Sequence, residues 1–302
     1  MDYKIYMDAS ADLDRKYIKA GEVSVLTMGY SRGDDMLTSQ GLETVEDIKA
    51  FYEGQRHGDV TQTTQITPSG YEEAFEELVT NGTGVLYISL SSGLSSTYSS
   101  ALLAKKNIEE RCGREVPLYI IDSLSATGGI GVMLERALFN KKHGMSLEDN
   151  YKDVLEMSGK IKIWFYVDSL EYLKNGGRIS PLTSVVGTVL GMKPILRVLP
   201  NGKLTNIDKR RGKLQAAERL SALYKGELER VKESYPDILE KDKQKLIYIT
   251  HADDIKAAEH VKGLLEKVNP HAKIKISTMS PIIGAHTGPG AVIIAHLGGP
   301  EV

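Results

Sequence analysis

Serines are concentrated at one point of the sequence, in the segment SSGLSSTYSSA that directly follows the apolar run VLYISL at residues 85–90. The run predicts a buried strand, and a helical pattern begins within the serines. The first N–H groups of a helix have no partner inside it, and the helix dipole adds partial positive charge there. Hydroxyls beside those groups, such as those of Ser95 and Ser96, would form a small site for a carboxylate or a phosphate. Capping of the helix by Ser95 or Ser96 is favoured for this segment alone, but one cap needs fewer hydroxyls than the segment contains.

A second hydroxyl-rich segment reads TQTTQITPSGYE. Within it, Ser69 and Glu72 have the spacing of a capping box, which predicts a helix over Tyr71–Leu78. Thr63, Thr64 and Gln65 precede this helix as extended polar residues without an obvious structural task. A surface loop and a ligand contact are equally open interpretations for these three residues.

Two further polar side chains lie in glycine-rich segments, Arg178 in YLKNGGRIS and His286 in GAHTGPGA. Glycines permit sharp turns and close approach of the backbone. The guanidinium of Arg178 could pair with the carboxylate of a ligand or of the protein itself, and an internal ion pair that braces the domain junction is favoured. The ring of His286 could donate to an oxyanion, although a lone histidine is more often structural.

Signatures of catalysis are missing from the sequence. There is no GxxxxGK[ST] motif, no GxSxG elbow and no HExxH or CxxC pattern, and GGIG at residues 128–131 lacks the third glycine of a dinucleotide fingerprint. No histidine–aspartate pair can be assigned to any serine from the sequence. The chain is equipped to hold an anion rather than to transform it, and no cofactor or metal is expected.

The composition is that of an ordinary globular protein, with 41% hydrophobic and 26% charged residues in 302. This length suits two domains, because single cores stop growing near roughly 250 residues. The net charge of −2 does not favour nucleic acid or anionic membranes as partners. One cysteine, Cys112, excludes an intramolecular disulfide, and the start MDYKIYMDASADLD lacks an apolar signal region, so we expect a cytoplasmic protein. The longest apolar stretch, Val185–Leu199, contains Lys193, Pro194 and Arg197 and predicts a buried element rather than a membrane span.

Apolar runs that alternate with helical patterns predict an α/β fold with a mainly parallel sheet flanked by helices in the N-terminal part. Strands are expected at Tyr3–Met7, Val85–Leu90, Leu118–Ile121, Ile161–Val167, Leu246–Thr250, Ile274–Thr278 and Ala291–Ala295. Helices are expected to run to about Arg111 and Lys142, and over Leu147–Ser158, Gly212–Ser234 and Ile255–Val268. A region rich in glycine and proline covers residues 175–203. We place the domain boundary near residue 158, giving domains at 1–158 and 159–302.

Seven segments, in order along nearly the whole chain, resemble the DegV family of bacterial proteins. They are MDASADL (7–13), TTQITP (63–68), SSGLSSTYSSA (91–101), DSLSATGGIG (122–131), YLKNGGRIS (172–180), LGMKPIL (190–196) and IGAHTGPGA (283–291). The chain departs from the family pattern at Thr64, Ile66 and Ser96, where the family usually has Ser, Pro and Gly. The resemblance implies two α/β domains with an apolar tunnel between them that holds one long-chain fatty acid.

The same resemblance implies that Thr63, Ser95 and His286 hold the acyl carboxylate, with Thr64 and Ser92 in reserve. Because some family members are the substrate-binding subunit of a fatty acid kinase, it also implies an ATP-using kinase partner, phosphorylation of the bound acid for phospholipid synthesis, and Arg211 as a partner contact. Two alternatives stay open. One is a serine-dependent acyl hydrolase or transferase using Ser95 and His286, and the other is a lipid sensor or storage protein without a kinase.

Overall fold

The parallel sheet predicted for the N-terminal part is present in the computed structural model, which describes residues 2–179, 191–234 and 246–299. Its four strands run in the order β2-β1-β6-β7, and all neighbours are parallel. The strands are β1 (Tyr3–Asp8), β2 (Ser24–Leu26), β6 (Gly84–Ser89) and β7 (Leu118–Asp122). Every residue of β6 is buried, as expected for a central strand covered on both faces.

A small antiparallel sheet lies beside it, in a region for which the sequence pattern predicted no strand. Its order is β4-β3-β5, and its strands are β3 (Met28–Arg32), β4 (Asp35–Ser39) and β5 (Thr63–Thr64). Strand β5 is only two residues long and pairs with Gly29 and Tyr30 of β3. The extended conformation expected for the two threonines is therefore confirmed.

The second half of the chain forms a six-stranded sheet in the order β10-β9-β8-β13-β11-β12. Its strands are β8 (Ile161–Tyr166), β9 (Met192–Val198), β10 (Leu204–Arg211), β11 (Leu246–His251), β12 (Lys273–Thr278) and β13 (Val292–Leu297). Only β11 and β12 are parallel neighbours. Strands β9 and β10 were not predicted. The glycines and prolines around them indicated turns and gave no sign of the antiparallel strand pair. Residues 180–190, which include part of the predicted apolar element and of two family segments, lie outside the described residues.

Helices cover the sheets. They are α1 (Arg15–Lys19), α2 (Val45–Arg56), α3 (Pro68–Thr80), α4 (Thr97–Cys112), α5 (Gly128–Lys142), α6 (Leu147–Leu155), α7 (Glu171–Asn175), α8 (Gly212–Ser234), α9 (Ile255–Val268) and α10 (Pro281–Thr287). The predicted capping box at Ser69 is wrong: α3 starts at Pro68, and Thr67 Oγ1 caps it by accepting from the N–H of Gly70 at 3.2 Å. Proline suits the first helical position because the missing N–H would have no partner there.

Close approach between the two large sheets depends on the glycines of α5. A Cβ atom at Gly128 would lie 2.5 Å from Cβ of Tyr248 in β11, and one at Gly129 would lie 2.7 Å from Cδ1 of Ile163 in β8. Such distances are too short for carbon atoms, so only glycine lets the helix reach the six-stranded sheet. The GGIG string is therefore a packing motif rather than part of a nucleotide site.

One hydrophobic core joins the two halves, since Ile5 and Ile88 of the parallel sheet and Phe165 and Ile293 of the six-stranded sheet belong to the same buried cluster. A second cluster fills the space between the other face of the six-stranded sheet and helices α8 and α9. The proposed division at residue 158 falls between α6 and β8 and stays a prediction. None of the helices in the described ranges has the length and apolar composition needed to cross a bilayer.

A largely buried charged cluster connects α5 to the six-stranded sheet and to α1. Its centre is Glu135 of α5, which forms an ion pair with Lys275 of β12 and accepts hydrogen bonds from Tyr248 at 2.8 Å and Tyr17 at 3.0 Å. Both charged side chains are about one-seventh exposed, 15% for Lys275 and 14% for Glu135. All the oxygens and the ammonium therefore find partners inside the protein, which is the condition for burying charge.

Replacing Glu135 by Gln should lower the free energy of unfolding by about 3 kcal/mol, because the substitution leaves the Lys275 ammonium without a countercharge. Urea denaturation followed by circular dichroism measures the change. Lys152→Ala is the matched control, since it removes an exposed ion pair with Glu148 on α6 and should leave the unfolding midpoint unchanged. Equal changes in the free energy of unfolding for Glu135→Gln and Lys152→Ala would contradict the predicted cost of breaking the buried ion pair.

Candidate functional site

A cavity of about 470 Å³ lies between the parallel sheet, the small sheet and the six-stranded sheet. It has the size of a small-molecule site, for which roughly 300–1,000 Å³ is typical. The polar residues of the wall are Thr63, Thr64, Gln65, Ser92, Ser95, Ser96, Thr127, Arg178, His286 and Thr287. The rest is apolar and is formed by Met28, Leu90, Leu94, Ala126, Ile163, Phe165, Leu173, Val198, Leu204, Ile282, Ile283 and Ile293.

The structure brings together all the residues predicted to hold a carboxylate, although they come from three distant segments. Thr63 lies in β5, Ser95 lies in the loop between β6 and α4, and His286 lies in α10. Thr64, Ser92, Ser96 and Arg178 line the same cavity. Arg211 does not: it is exposed at the end of β10 and takes no part in the cavity wall.

Thr63 and His286 are joined by a hydrogen bond of 2.9 Å between Oγ1 and Nε2. The other ring nitrogen, Nδ1, is buried and has no partner among the described residues. It faces Gly176, where a Cβ atom would collide with the ring. In the tautomer with the proton on Nε2, Nδ1 is an unprotonated acceptor. This tautomer avoids burying an unpaired N–H group.

The environment of His286 keeps the ring neutral. Burial lowers its pKa to about 4, because desolvation disfavours the imidazolium, and the nearby positive charge of Arg178 lowers it further. A neutral ring can still donate one hydrogen bond from Nε2. When the Nε2–H donates to Oγ1 of Thr63, the hydroxyl hydrogen of Thr63 is free to donate into the cavity, and the positive charge is left to Arg178.

Arg178 does not form the internal ion pair that the sequence favoured, since no pair within the described ranges includes it. Instead its Nε donates to the carbonyl of Leu94 at 2.9 Å, and its Nη1 donates to the carbonyl of Gly176. Burial alone lowers the pKa of Arg178, with no acidic group to offset it. The guanidinium thus fixes the serine loop against the segment after α7 and supplies positive charge near the hydroxyls.

The serine loop is held by hydrogen bonds to two carboxylates. Asp8, at the end of β1, accepts from the N–H of Leu90 at 2.9 Å, and Asp122, at the end of β7, accepts from the N–H of Ser92 at 3.0 Å. Asp8 also accepts from the hydroxyl of Tyr87 at 2.7 Å. Three adjacent parallel strands therefore end at the same edge and position one loop, as is typical of ligand sites in parallel sheets.

Neither serine caps α4 in the expected way. Ser96 occupies the N-cap position but makes no side-chain cap bond, whereas the Ser95 hydroxyl accepts from the N–H of Thr97 at 3.2 Å and bonds to the Thr97 hydroxyl at 2.8 Å. The Ser96 hydroxyl is not used for capping, and Ser95 lines the cavity beside the start of the helix. This arrangement agrees with an anion site at the helix N-terminus.

Thr127, like Thr287, is a polar wall residue that sequence reasoning missed. It lies in the segment DSLSATGGIG, immediately before α5, and is fully buried. A hydroxyl that precedes a run of small residues at a helix start was the signal available in the sequence. Within the described part of the chain, no group of three or more His, Cys, Asp or Glu side chains is arranged to hold a metal ion.

The fold and the site define a class of α/β proteins in which a parallel sheet and a mostly antiparallel sheet enclose a cavity lined by both polar and apolar side chains. The DegV family model matches residues 2–297, and the chain belongs to the DegV family. A DegV domain-containing protein of Clostridium perfringens is 32% identical over 296 residues, which cover 98% of this chain and 97% of that protein.

Solved structures share the whole fold. A Thermotoga maritima protein described as revealing fatty acid binding function is 26% identical, with a TM-score of 0.75 and 98% of each chain covered. The fatty acid kinase B3 protein of Streptococcus pneumoniae, loaded with linoleic acid, has a TM-score of 0.79 and covers 98% of this chain and 99% of its own. At 20% identity, this second likeness establishes the fold alone.

The neutrality of His286 predicts a pH dependence of stability. The unfolded chain takes up a proton on this histidine below about pH 6.5, whereas the folded protein does so only near pH 4. As the pH falls from 6.5 to 4, the unfolded state binds the proton first. The contribution of His286 to the free energy of unfolding therefore decreases. Urea unfolding at several pH values should show a smaller decrease for His286→Gln than for the natural protein.

The decrease should not vanish in that variant, because burial also lowers the pKa of His296 to about 4. NMR titration of the histidine ring protons provides a direct check, with a short unstructured peptide as reference. Titration of His286 near pH 6.5 in the folded protein would contradict the lowered pKa. Curves of unfolding free energy against pH that run parallel for the natural protein and His286→Gln would contradict it as well.

Proposed function

We propose that this protein binds one long-chain fatty acid, with the carboxylate near Thr63, Ser95 and His286 and the acyl chain along the apolar wall. The observation that carries the proposal is one cavity whose wall combines several hydroxyls and a half-buried guanidinium with apolar side chains. Related structures described as binding fatty acids support it. The ligand is the cargo of a binding protein that acts in the cytoplasm.

The energetics of such a ligand fit the two parts of the wall. Burying an acyl chain stabilises the complex by roughly 0.8 kcal/mol for each methylene group, so the apolar wall would supply most of the affinity. A carboxylate buried without partners would cost several kcal/mol, so donors must meet it. Such donors are present at the hydroxyls of Thr63 and Ser95, at the start of α4 and at the charged guanidinium of Arg178.

The hydrolase or transferase alternative is not favoured by the geometry. A nucleophilic serine needs a base within hydrogen-bond reach. Nε2 of His286 is bonded to Thr63, and the Ser95 hydroxyl is bonded to Thr97. Incubation with a p-nitrophenyl acyl ester tests the point, since hydrolysis lost in Ser95→Ala would support the enzyme instead.

Loss of a carboxylate contact should weaken binding without unfolding the protein. We expect Ser95→Ala and Thr63→Val each to raise the Kd for oleate roughly tenfold or more, because each removes a hydrogen bond to a charged group. Isothermal titration calorimetry on delipidated protein measures the change, and native mass spectrometry shows whether one acid is bound. Ser99→Ala is the matched control, since Ser99 is exposed on the same helix.

An unchanged Kd in both variants, with Ser99→Ala also unchanged, would place the carboxylate elsewhere. Failure of the natural protein to take up oleate or palmitate would contradict fatty acid binding itself.

We further propose that the bound acid is presented to a separate ATP-dependent kinase subunit, which forms the acyl phosphate used in phospholipid synthesis. The relevant support is the likeness to the fatty acid kinase B3 protein. Arg211 is a suitable contact because it is exposed at the end of β10, an edge strand, where a partner can approach. A lipid sensor or storage protein without a kinase is the remaining alternative.

Arg211→Ala should reduce acyl phosphate formation by an added bacterial fatty acid kinase subunit roughly tenfold, because arginines often dominate binding at protein interfaces. The Kd for oleate should stay the same, since Arg211 is not part of the cavity wall. Lys267→Ala, which removes an exposed charge on α9, is the control. No acyl phosphate with any kinase subunit would favour the sensor or storage role.

A further inference from the structure

Gln55 connects two segments of the site without lining the cavity itself. It lies in the last turn of α2 and is 2% exposed. Its amide nitrogen Nε2 donates to the carbonyl of Gly284 at 3.1 Å and to Oγ1 of Thr61 at 3.0 Å. The two hydrogens of one buried amide group therefore bond to segments that are far apart in the chain.

Each of these segments carries one member of the Thr63–His286 pair. Thr61 comes two residues before Thr63, and Gly284 comes two residues before His286. The hydroxyl of Thr61 extends the connection by donating to the carbonyl of Ala285 at 3.2 Å. This buried link therefore joins the same two segments as the 2.9 Å bond between Thr63 and His286.

Helix α2 can reach α10 because Gly284 has no side chain. A Cβ atom there would collide with the ring of Tyr52, which lies on α2 one turn before Gln55. The hydroxyl of Tyr52 donates to the carbonyl of Met279 at 3.1 Å, two residues before α10 begins. Helix α10 is only seven residues long, and so short a helix gains little stability from its own hydrogen bonds. Its placement therefore depends on contacts such as those from α2.

The amide oxygen of Gln55 is buried and has no partner in the described part of the chain. Reversing the amide would not help, because the oxygen would then face the carbonyl of Gly284. Buried polar atoms are normally paired, and a methionine would fill a similar space without an unpaired acceptor. The glutamine is therefore explained by its two N–H donors rather than by packing.

We infer that Gln55 is a positioning residue, which holds the segments of Thr63 and His286 together so that both can meet one carboxylate. This inference rests on the proposed fatty acid binding and adds a residue outside the cavity wall that determines how strongly the carboxylate is recognised. Donors that are placed before the ligand arrives avoid the cost of ordering them on binding. Without the Gln55 donors, the apolar wall is still present, but the contacts to the carboxylate are no longer held in place.

The test compares oleic acid with oleyl alcohol, which has the same chain and no carboxylate, by isothermal titration calorimetry on delipidated protein. The ratio of the Kd for the alcohol to the Kd for the acid measures recognition of the carboxylate. Gln55→Met should lower this ratio roughly tenfold, because hydrogen bonds to a charged group are weakened. A general loosening of the fold would weaken both ligands and leave the ratio unchanged.

Thr61→Val breaks the same link from the other side and should lower the ratio in the same way. It decides the question if Gln55→Met does not fold. Gln62→Met is the matched control, since Gln62 is exposed in the same segment and its substitution should leave the ratio unchanged.

The tautomer of His286 gives a second measurement that needs no ligand. The nitrogen chemical shifts of the ring should show the proton on Nε2 in the natural protein. They should show a mixture of both tautomers in Gln55→Met, because the bond to Thr63 is no longer enforced. His296, which packs against Trp164 in the other core cluster, is the internal reference and should not change.

The inference requires both changes. An unchanged Kd ratio in the variants that fold, or a His286 ring that keeps its proton on Nε2, would overturn it, as would an equal fall of the ratio in Gln62→Met. If the natural protein binds neither ligand, or shows no preference for the acid, the proposed carboxylate site fails. The tautomer of His286 then decides the role of Gln55 by itself.

Discussion

The hydrogen bond between Thr63 and His286 is the contact on which the arrangement of the site depends. It joins a two-residue strand of the small sheet to a short helix that lies 223 residues later in the chain. The ring can reach Thr63 because Gly176 leaves room beside Nδ1, and it stays neutral because it is buried next to Arg178. A protonated ring would place a second positive charge beside the guanidinium. The neutral ring avoids this and can still form the hydrogen bond to Thr63.

Charge in the site is supplied by one residue and hydrogen-bonding capacity by others. Arg178 provides the positive charge and is held by carbonyl oxygens, which do not neutralise it. Asp8 and Asp122 are committed to the N–H groups of the serine loop. These carboxylates therefore build the loop without occupying the donors that face the cavity. An anion that enters meets a fixed cation and the hydroxyl of Ser96, which makes no cap bond. The hydroxyls of Thr63 and Ser95 keep a hydrogen to donate when His286 and Thr97 are the donors in their bonds.

The parts of the structure that depend on local pattern were predictable from the sequence. The strand over 84–89 follows from its apolar run, and α8 and α9 were predicted with the bounds that are observed. The two-residue β5 was missed because its partner β3 lies far away in the chain. Strands β9 and β10 pair with each other locally and were missed because the glycines and prolines around them indicated turns rather than strands. Motif resemblance brought Thr63 and His286 into one site, but the neutral state of His286 depends on burial, which no local spacing encodes. Thr127 was missed although its segment contained a signal, a hydroxyl before the small residues that begin α5.

The order of strands in the six-stranded sheet has a consequence for how the chain is made. Strand β13 lies in the middle of the sheet, although it comes last in the chain, and it alone connects β8 with β11. During synthesis, the two halves of this sheet stay unconnected until residue 297 has emerged from the ribosome. The cavity wall contributed by Ile293 is absent until the same moment. The cavity wall is therefore incomplete until β13 is in place, and until then the nascent chain must protect two open sheet edges.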